Sequence, residues 1–152
     1  MEGVRSVSAW LRGFPLSFLV AGTASVASAQ SNWLTITGAP DDPKVNTIQV
    51  DPVPKDRDEG MRTLRVRVSR SGERTSWDGV PYRSYESDVL FDCRENTARY
   101  LSITYYPQPG WLGEARTVDY STGERRMMEF REVVPNPHQR ILHAACAGVT
   151  RK

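Results

Sequence analysis

"YESDVLFDCRENTARYLSITYY", residues 85–106, decides the fold. Two runs rich in β-branched and aromatic residues flank the polar break Arg94-Glu95-Asn96-Thr97, which is the pattern of an antiparallel hairpin. Side chains alternate across a strand, so Tyr85, Ser87, Val89, Phe91 and Cys93 share one face, and Glu86, Asp88, Leu90 and Asp92 share the other. On the return run the same parity groups Leu101, Ile103 and Tyr105, with Tyr100, Ser102, Thr104 and Tyr106 opposite them. Cys93 thus belongs to the apolar face with Val89 and Phe91.

How that cysteine is read depends on the compartment. Arg5 and Arg12 precede the apolar run "FPLSFLVAGTASVA", which ends at Ala27-Ser28-Ala29, a small-x-small cleavage pattern. Residues 1–29 read as a signal peptide that is removed, and 30–152 as a single domain. The run is short for a membrane span, which needs about 20 apolar residues, so no transmembrane segment is expected. The first cysteine is Cys93, far beyond the cleavage site, so a lipid anchor is not expected either.

Without Arg5, Arg12 and Glu2, the 20 basic and 18 acidic residues leave a net charge near +1. That balance argues against nucleic acid as a partner. In an exported chain, the two cysteines Cys93 and Cys146 most simply form one disulfide. The alternative is a pair of reduced, buried thiols. A closed loop of 53 residues would stabilise the fold by roughly 4 kcal/mol on the chain-entropy account.

Outward from the hairpin, "NWLTIT" (32–37) reads as a first strand with Trp33 as a core anchor, and "NTIQVDP" (46–52) as a second. "MRTLRVRVSR" (61–70) alternates Leu64, Val66 and Val68 with Arg65 and Arg67, giving a strand with one apolar and one basic face. "SGERTSWDGVP" and "PQPGWLG" read as loops holding Trp77 and Trp111, and "EARTVDY" as a further strand. The tail changes period: Ile141, Leu142, Ala145, Cys146 and Val149 form a helical stripe. Asn136 is placed as its N-cap, Pro137 at the first helical position, Gln139 in a capping box and Gly148 as the terminator. A short helix has little stability alone and needs a surface to lie on. The apolar face of the hairpin is that surface, so a Cys93–Cys146 bridge would clip helix to sheet. The fold class is α+β.

"YRSYESDVLFDC", "ARYLSITYY" and the tail "ILHAAC", together with "NWLTIT" and "TIQVDP", resemble the bacterial surface-adhesin protein E family over roughly residues 33–147. The resemblance implies an antiparallel sheet of about six strands with one C-terminal helix tied to it by the disulfide, often as a homodimer. It also implies an adhesin that recognises a host or extracellular-matrix protein such as vitronectin or laminin. No ligand-binding motif of the family matches positions here.

The residues offer little for catalysis. His138 and His143 are five apart and do not share a helical face as a metal pair would. No nucleophile elbow, phosphate-binding loop or zinc-spaced cysteine set occurs, so no cofactor, metal or catalytic residue is expected. "DRDEG" (56–60) resembles a calcium loop only faintly, since its glycine comes one position early and no closing glutamate follows. It reads as a solvated linker.

Binding is the better reading. Arg65 and Arg67, with Arg62 and Arg70 near the strand ends, either meet an acidic partner or pair across the sheet with Glu86 and Asp88. Leu90, Tyr100 and Tyr106 either form a homodimer or partner contact, or the two tyrosines are ordinary strand residues with their hydroxyls in water. Trp77 and Trp111 either present aromatic surface to a ligand or fold back over the core edge. The chain reads as an exported, non-enzymatic, adhesin-like binding protein, at the surface or secreted. The alternative is a periplasmic accessory or inhibitor module with an envelope partner.

Overall fold

The structure is a computed structural model and describes residues 33–149, so the expected signal peptide lies outside the described residues. Seven strands form one antiparallel sheet: β1 (Leu34–Thr37), β2 (Thr47–Val50), β3 (Asp56–Asp58), β4 (Met61–Thr75), β5 (Pro81–Asp92), β6 (Thr97–Tyr106) and β7 (Arg116–Asp119). One helix, α1 (His138–Ala145), follows. The order across the sheet is β1-β2-β4-β5-β6-β7, with β3 paired to β4. The α+β class and the helix-on-sheet plan hold, with seven strands rather than six.

The extra strand comes from the charged linker. Asp56–Asp58 folds back on Thr63–Met61 through a turn at Gly60, whose φ of 78° is one that glycine adopts at little cost. Both β2 and β3 lie along the edge of β4 opposite β5. The ladder continues between them through Asp51 N to Arg65 O (3.0 Å) and Lys55 N to Thr63 O (2.8 Å). Pro52 and Pro54 have no N–H to donate, and that breaks one long strand into two short ones.

The central hairpin forms as its alternation dictates: Tyr85, Ser87, Val89, Phe91 and Cys93 are all buried. The return strand departs from simple parity. Asp88 faces Ser102 but Val89 faces Tyr100, so Leu101 is an extra residue in β6. This β-bulge reverses the parity before it, as one inserted residue must. Ala98 and Tyr100 therefore point into the core beside Ile103 and Tyr105, and Tyr100 is 1% exposed.

One face of the sheet carries Ile48, Val50, Leu64, Val66, Val68, Val89, Phe91 and Ile103, and the chain beyond β7 covers it. Tyr120, Met128, Phe130 and Val133 pack from the irregular segment, and Ile141, Leu142 and Ala145 from α1. The helix starts one residue later than its cap signal suggests. Pro137 is the N-cap, no capping box forms, and Asn136 Oδ1 instead accepts from the His138 N–H at 3.0 Å. Gly148, at φ 78°, follows the helix end as expected.

Two ties hold α1 down. Cys93 and Cys146 form the disulfide, with Cα atoms 5.3 Å apart, which removes the reduced-thiol alternative. Arg62 Nη1 donates to Ala145 O at 2.9 Å, placing a cation at the helix C-terminus, where the last carbonyls lack partners. Arg62 and Arg70 have the parity of Leu64, Val66 and Val68. They therefore belong to the covered side, not to the basic face expected to hold them with Arg65 and Arg67.

Candidate functional site on the open face of the sheet

The face that the helix does not cover is built from the opposite parity. One row crosses six strands in register: Thr35, Gln49, Arg67, Glu86, Thr104 and Thr117. Gln49 Nε2 donates to Thr35 Oγ1 at 2.9 Å, and Arg67 Nε donates to Gln49 Oε1 at 2.8 Å. Arg67 also pairs with Glu86 at 3.7 Å, and the Thr104 and Thr117 hydroxyls meet at 2.9 Å. An unpartnered antiparallel face is normally polar in this way.

Two indoles break that polarity. The Arg67 guanidinium carbon lies 4.2 Å from the Trp33 ring centroid and 3.8 Å from that of Trp111, so a planar cation sits against both rings. Arg65 adds a second cation over Trp33 at 4.9 Å. Burial pulls the Arg67 guanidinium below its ordinary value while Glu86 opposes the shift; a guanidinium stays charged throughout.

Local structure explains how Trp111 reaches that position. Gly110 and Trp111 both have positive φ, 70° and 61°, turning the 107–113 loop back over the sheet. Gly110 N donates to Ser69 Oγ (3.2 Å) and Trp111 N to Ser84 Oγ (2.9 Å), while Ser84 Oγ donates to Gln108 O (2.6 Å). Trp111 Nε1 donates to Tyr85 O at 3.1 Å. A non-glycine residue at positive φ is costly unless its surroundings over-determine it, and these four bonds do so.

Cross-strand charge pairing is present but re-partnered. Arg67 meets Glu86 as expected, whereas Arg65 binds Asp51 at 2.5 Å and Asp88 binds Lys55 at 2.7 Å. Asp51 is 5% exposed, and burial would raise its carboxyl; the Arg65 hydrogen bond, the Val53 N–H and the Arg65 charge outweigh that and hold it below the usual carboxylate range. With these charges compensated, the face is not a simple anion-binding patch.

The six expected binding residues thus divide. Arg65, Arg67, Trp111 and the half-buried Tyr106 stand on the open face. Trp77 and Tyr100 do not: they pack together on the covered side, ring centroids 5.9 Å apart. Tyr100 is a correction, because the bulge at Leu101 turns it into the core and removes it from any homodimer contact with Tyr106. Trp33 is another, lying against arginines on the open face instead of anchoring the core. Trp33 shares the parity of Thr35, which the register pairs with Gln49 on the open face.

Among the described residues no group of three or more potential metal ligands converges, and no helix is long and apolar enough to cross a membrane. No curated protein and no solved structure gives a significant match. A family model described as surface-adhesin protein E matches residues 33–147, a span that takes in the whole sheet, the open face and α1. With most of its length matched, the chain belongs to the surface-adhesin protein E family.

Proposed function

We propose that the protein is an exported, non-enzymatic adhesin that binds a host or extracellular-matrix protein through the open face of its sheet. Family membership supports the adhesin class. The observation that carries the choice of face is Arg67 held between Trp33 and Trp111. Tryptophan, tyrosine and arginine are the side chains that most often dominate protein interfaces, especially where they are held rigid before binding. Here the loop bonds fix Trp111 and the polar row fixes Arg67, so little side-chain entropy is left to lose.

Vitronectin and laminin are the partners to try first. Immobilised vitronectin and laminin are titrated with wild-type protein and with Arg67→Ala and Trp111→Ala, whose folds are checked by circular dichroism. Loss of at least tenfold in affinity, about 1.4 kcal/mol, is the expected result for both variants. Undiminished binding by both would remove the open face from the proposal. Protease treatment of intact cells tests display separately. Digestion supports surface exposure, whereas protection until the outer membrane is breached would favour the periplasmic accessory reading.

A further inference from the structure

On the covered side, a cavity of about 260 Å³ opens between β4, β5, β6 and the 129–132 segment. Five aromatic side chains line it, Trp77, Tyr82, Tyr85, Tyr100 and Tyr105, with Tyr85 and Tyr100 at 84° to each other and their hydroxyls 3.1 Å apart, and three arginines and two glutamates complete the charged part of the wall. Arg70 lines the same cavity from the inward row that Leu64, Val66 and Val68 begin, and it is 3% exposed.

Among the described residues Arg70 makes no ion pair of its own. The other two arginines lining the cavity have carboxylates, Arg74 with Glu132 and Arg131 with Glu129. Among the described residues Arg70 has none; Nη1 donates to Arg131 O at 2.9 Å, and Nε is buried without a hydrogen-bond partner. An isolated buried cation costs several kcal/mol relative to one in water, and native proteins ordinarily pair it. Arg70 lacks an ion-pair partner where open volume adjoins it.

We propose that this cavity binds a small aromatic monocarboxylate, the carboxylate accepting from Arg70 and the ring packing among Tyr85, Tyr100 and Trp77. One unpaired cation matches one negative charge, whereas a phosphate monoester, near −2 at neutral pH, would arrive with charge to spare. The guanidinium fork fits a carboxylate bidentately. The volume is below the roughly 300–1,000 Å³ of sites for drug-sized ligands, which limits the body to about one ring. This site is independent of the open face: it lies on the other side of the sheet.

The test is a titration of the purified protein by heteronuclear NMR with phenylacetate, its neutral isostere phenylacetamide, and inorganic phosphate. The Trp77 indole N–H, assigned from a Trp77→Phe spectrum, is followed alongside the Arg70 Nε–H. Phenylacetate is expected to shift both saturably, phenylacetamide to bind at least tenfold more weakly, and phosphate to shift neither. Arg70→Met, similar in length and uncharged, should fold and bind phenylacetate at least tenfold more weakly. Equal binding of acid and amide, phosphate binding as tightly as phenylacetate, full binding by folded Arg70→Met, or no saturable shift at millimolar phenylacetate each overturns the proposal. If Arg70→Met does not fold, the acid-to-amide comparison on the wild type decides alone.

Discussion

The Trp111 ring centroid lies 3.8 Å from the Arg67 guanidinium carbon, joining a loop residue to the middle of the longest strand among the described residues. A cation–π contact contributes about 0.5–1 kcal/mol at an exposed site and about 2 kcal/mol when desolvated, and the Arg67 side chain is 19% exposed. A double-mutant cycle on Arg67→Ala and Trp111→Ala, read from urea unfolding, should return a coupling energy in that range. Arg67→Lys should recover less than half of it. Lysine is a point charge that neither stacks as a plane nor keeps both the Gln49 and Glu86 contacts. Additive single-mutant effects would show that the stack contributes nothing beyond its two parts.

Breaking the Cys93–Cys146 bridge frees a 53-residue loop, and on the chain-entropy account stability should fall by roughly 4 kcal/mol. The loss should concentrate at α1, whose eight residues cannot persist without the sheet. Hydrogen exchange on the reduced protein, or on Cys93→Ser, should show the amides of Ile141–Ala145 losing protection before those of β4 and β5. Equal denaturation midpoints for oxidised and reduced protein would refute this.

Tyr100 and Tyr106 stand six residues apart in β6 with opposite fates, one 1% exposed and the other half-buried on the open face. Tyr100→Ala should cost about 3–5 kcal/mol, as truncation of a fully buried aromatic does. Tyr100→Phe, which removes only the hydroxyl bonded to Tyr85 and to Glu129 O, should cost about 1 kcal/mol. Tyr106→Ala should cost less than Tyr100→Ala. Reversal of that order in thermal unfolding would place the bulge elsewhere than Leu101.

The aromatic cluster also sets the alkaline limit. Burial raises the phenols of Tyr85, Tyr100 and Tyr105 above the ordinary value near 10, the last also through its bond to Tyr120, and burial together with the bond to Asp78 pushes Tyr120 up to about 12. A neutral phenol is favoured in the folded protein, while the unfolded chain ionises at its ordinary value. The stabilisation is therefore complete below pH 10 and is lost as pH rises from 10 through the folded values. Absorbance at 295 nm should show these four ionising together with unfolding, and Tyr120→Phe should raise the unfolding pH. Four independent transitions near pH 10 in a folded protein would contradict the packing.

Much of this architecture was legible in strand parity. "MRTLRVRVSR" and "YESDVLFD" put Leu64, Val66, Val68, Val89 and Phe91 on one face because backbone pleating is local and period two holds along each strand stretch without a bulge. The helical stripe that carries Cys146 was legible for the same reason at a different period. So was the pairing of Cys93 and Cys146, once each was placed on an apolar face.

Three features came only from the assembled chain. Leu101 is a bulge because of how β6 aligns with β5, and register belongs to two strands at once, so single-strand parity carried Tyr100 to the wrong side. Trp33 left the core because β1, short and at the sheet edge, sets it against arginines contributed by β4. Arg70 has the parity of a core residue, but whether its charge finds a carboxylate depends on segments some sixty positions away. Alternation within an unbulged strand, the helical stripe and cysteine placement are short-range properties, and the sequence by itself determined them. Which charges are compensated and which aromatics face solvent are sums over distant partners, and only the tertiary structure decided those.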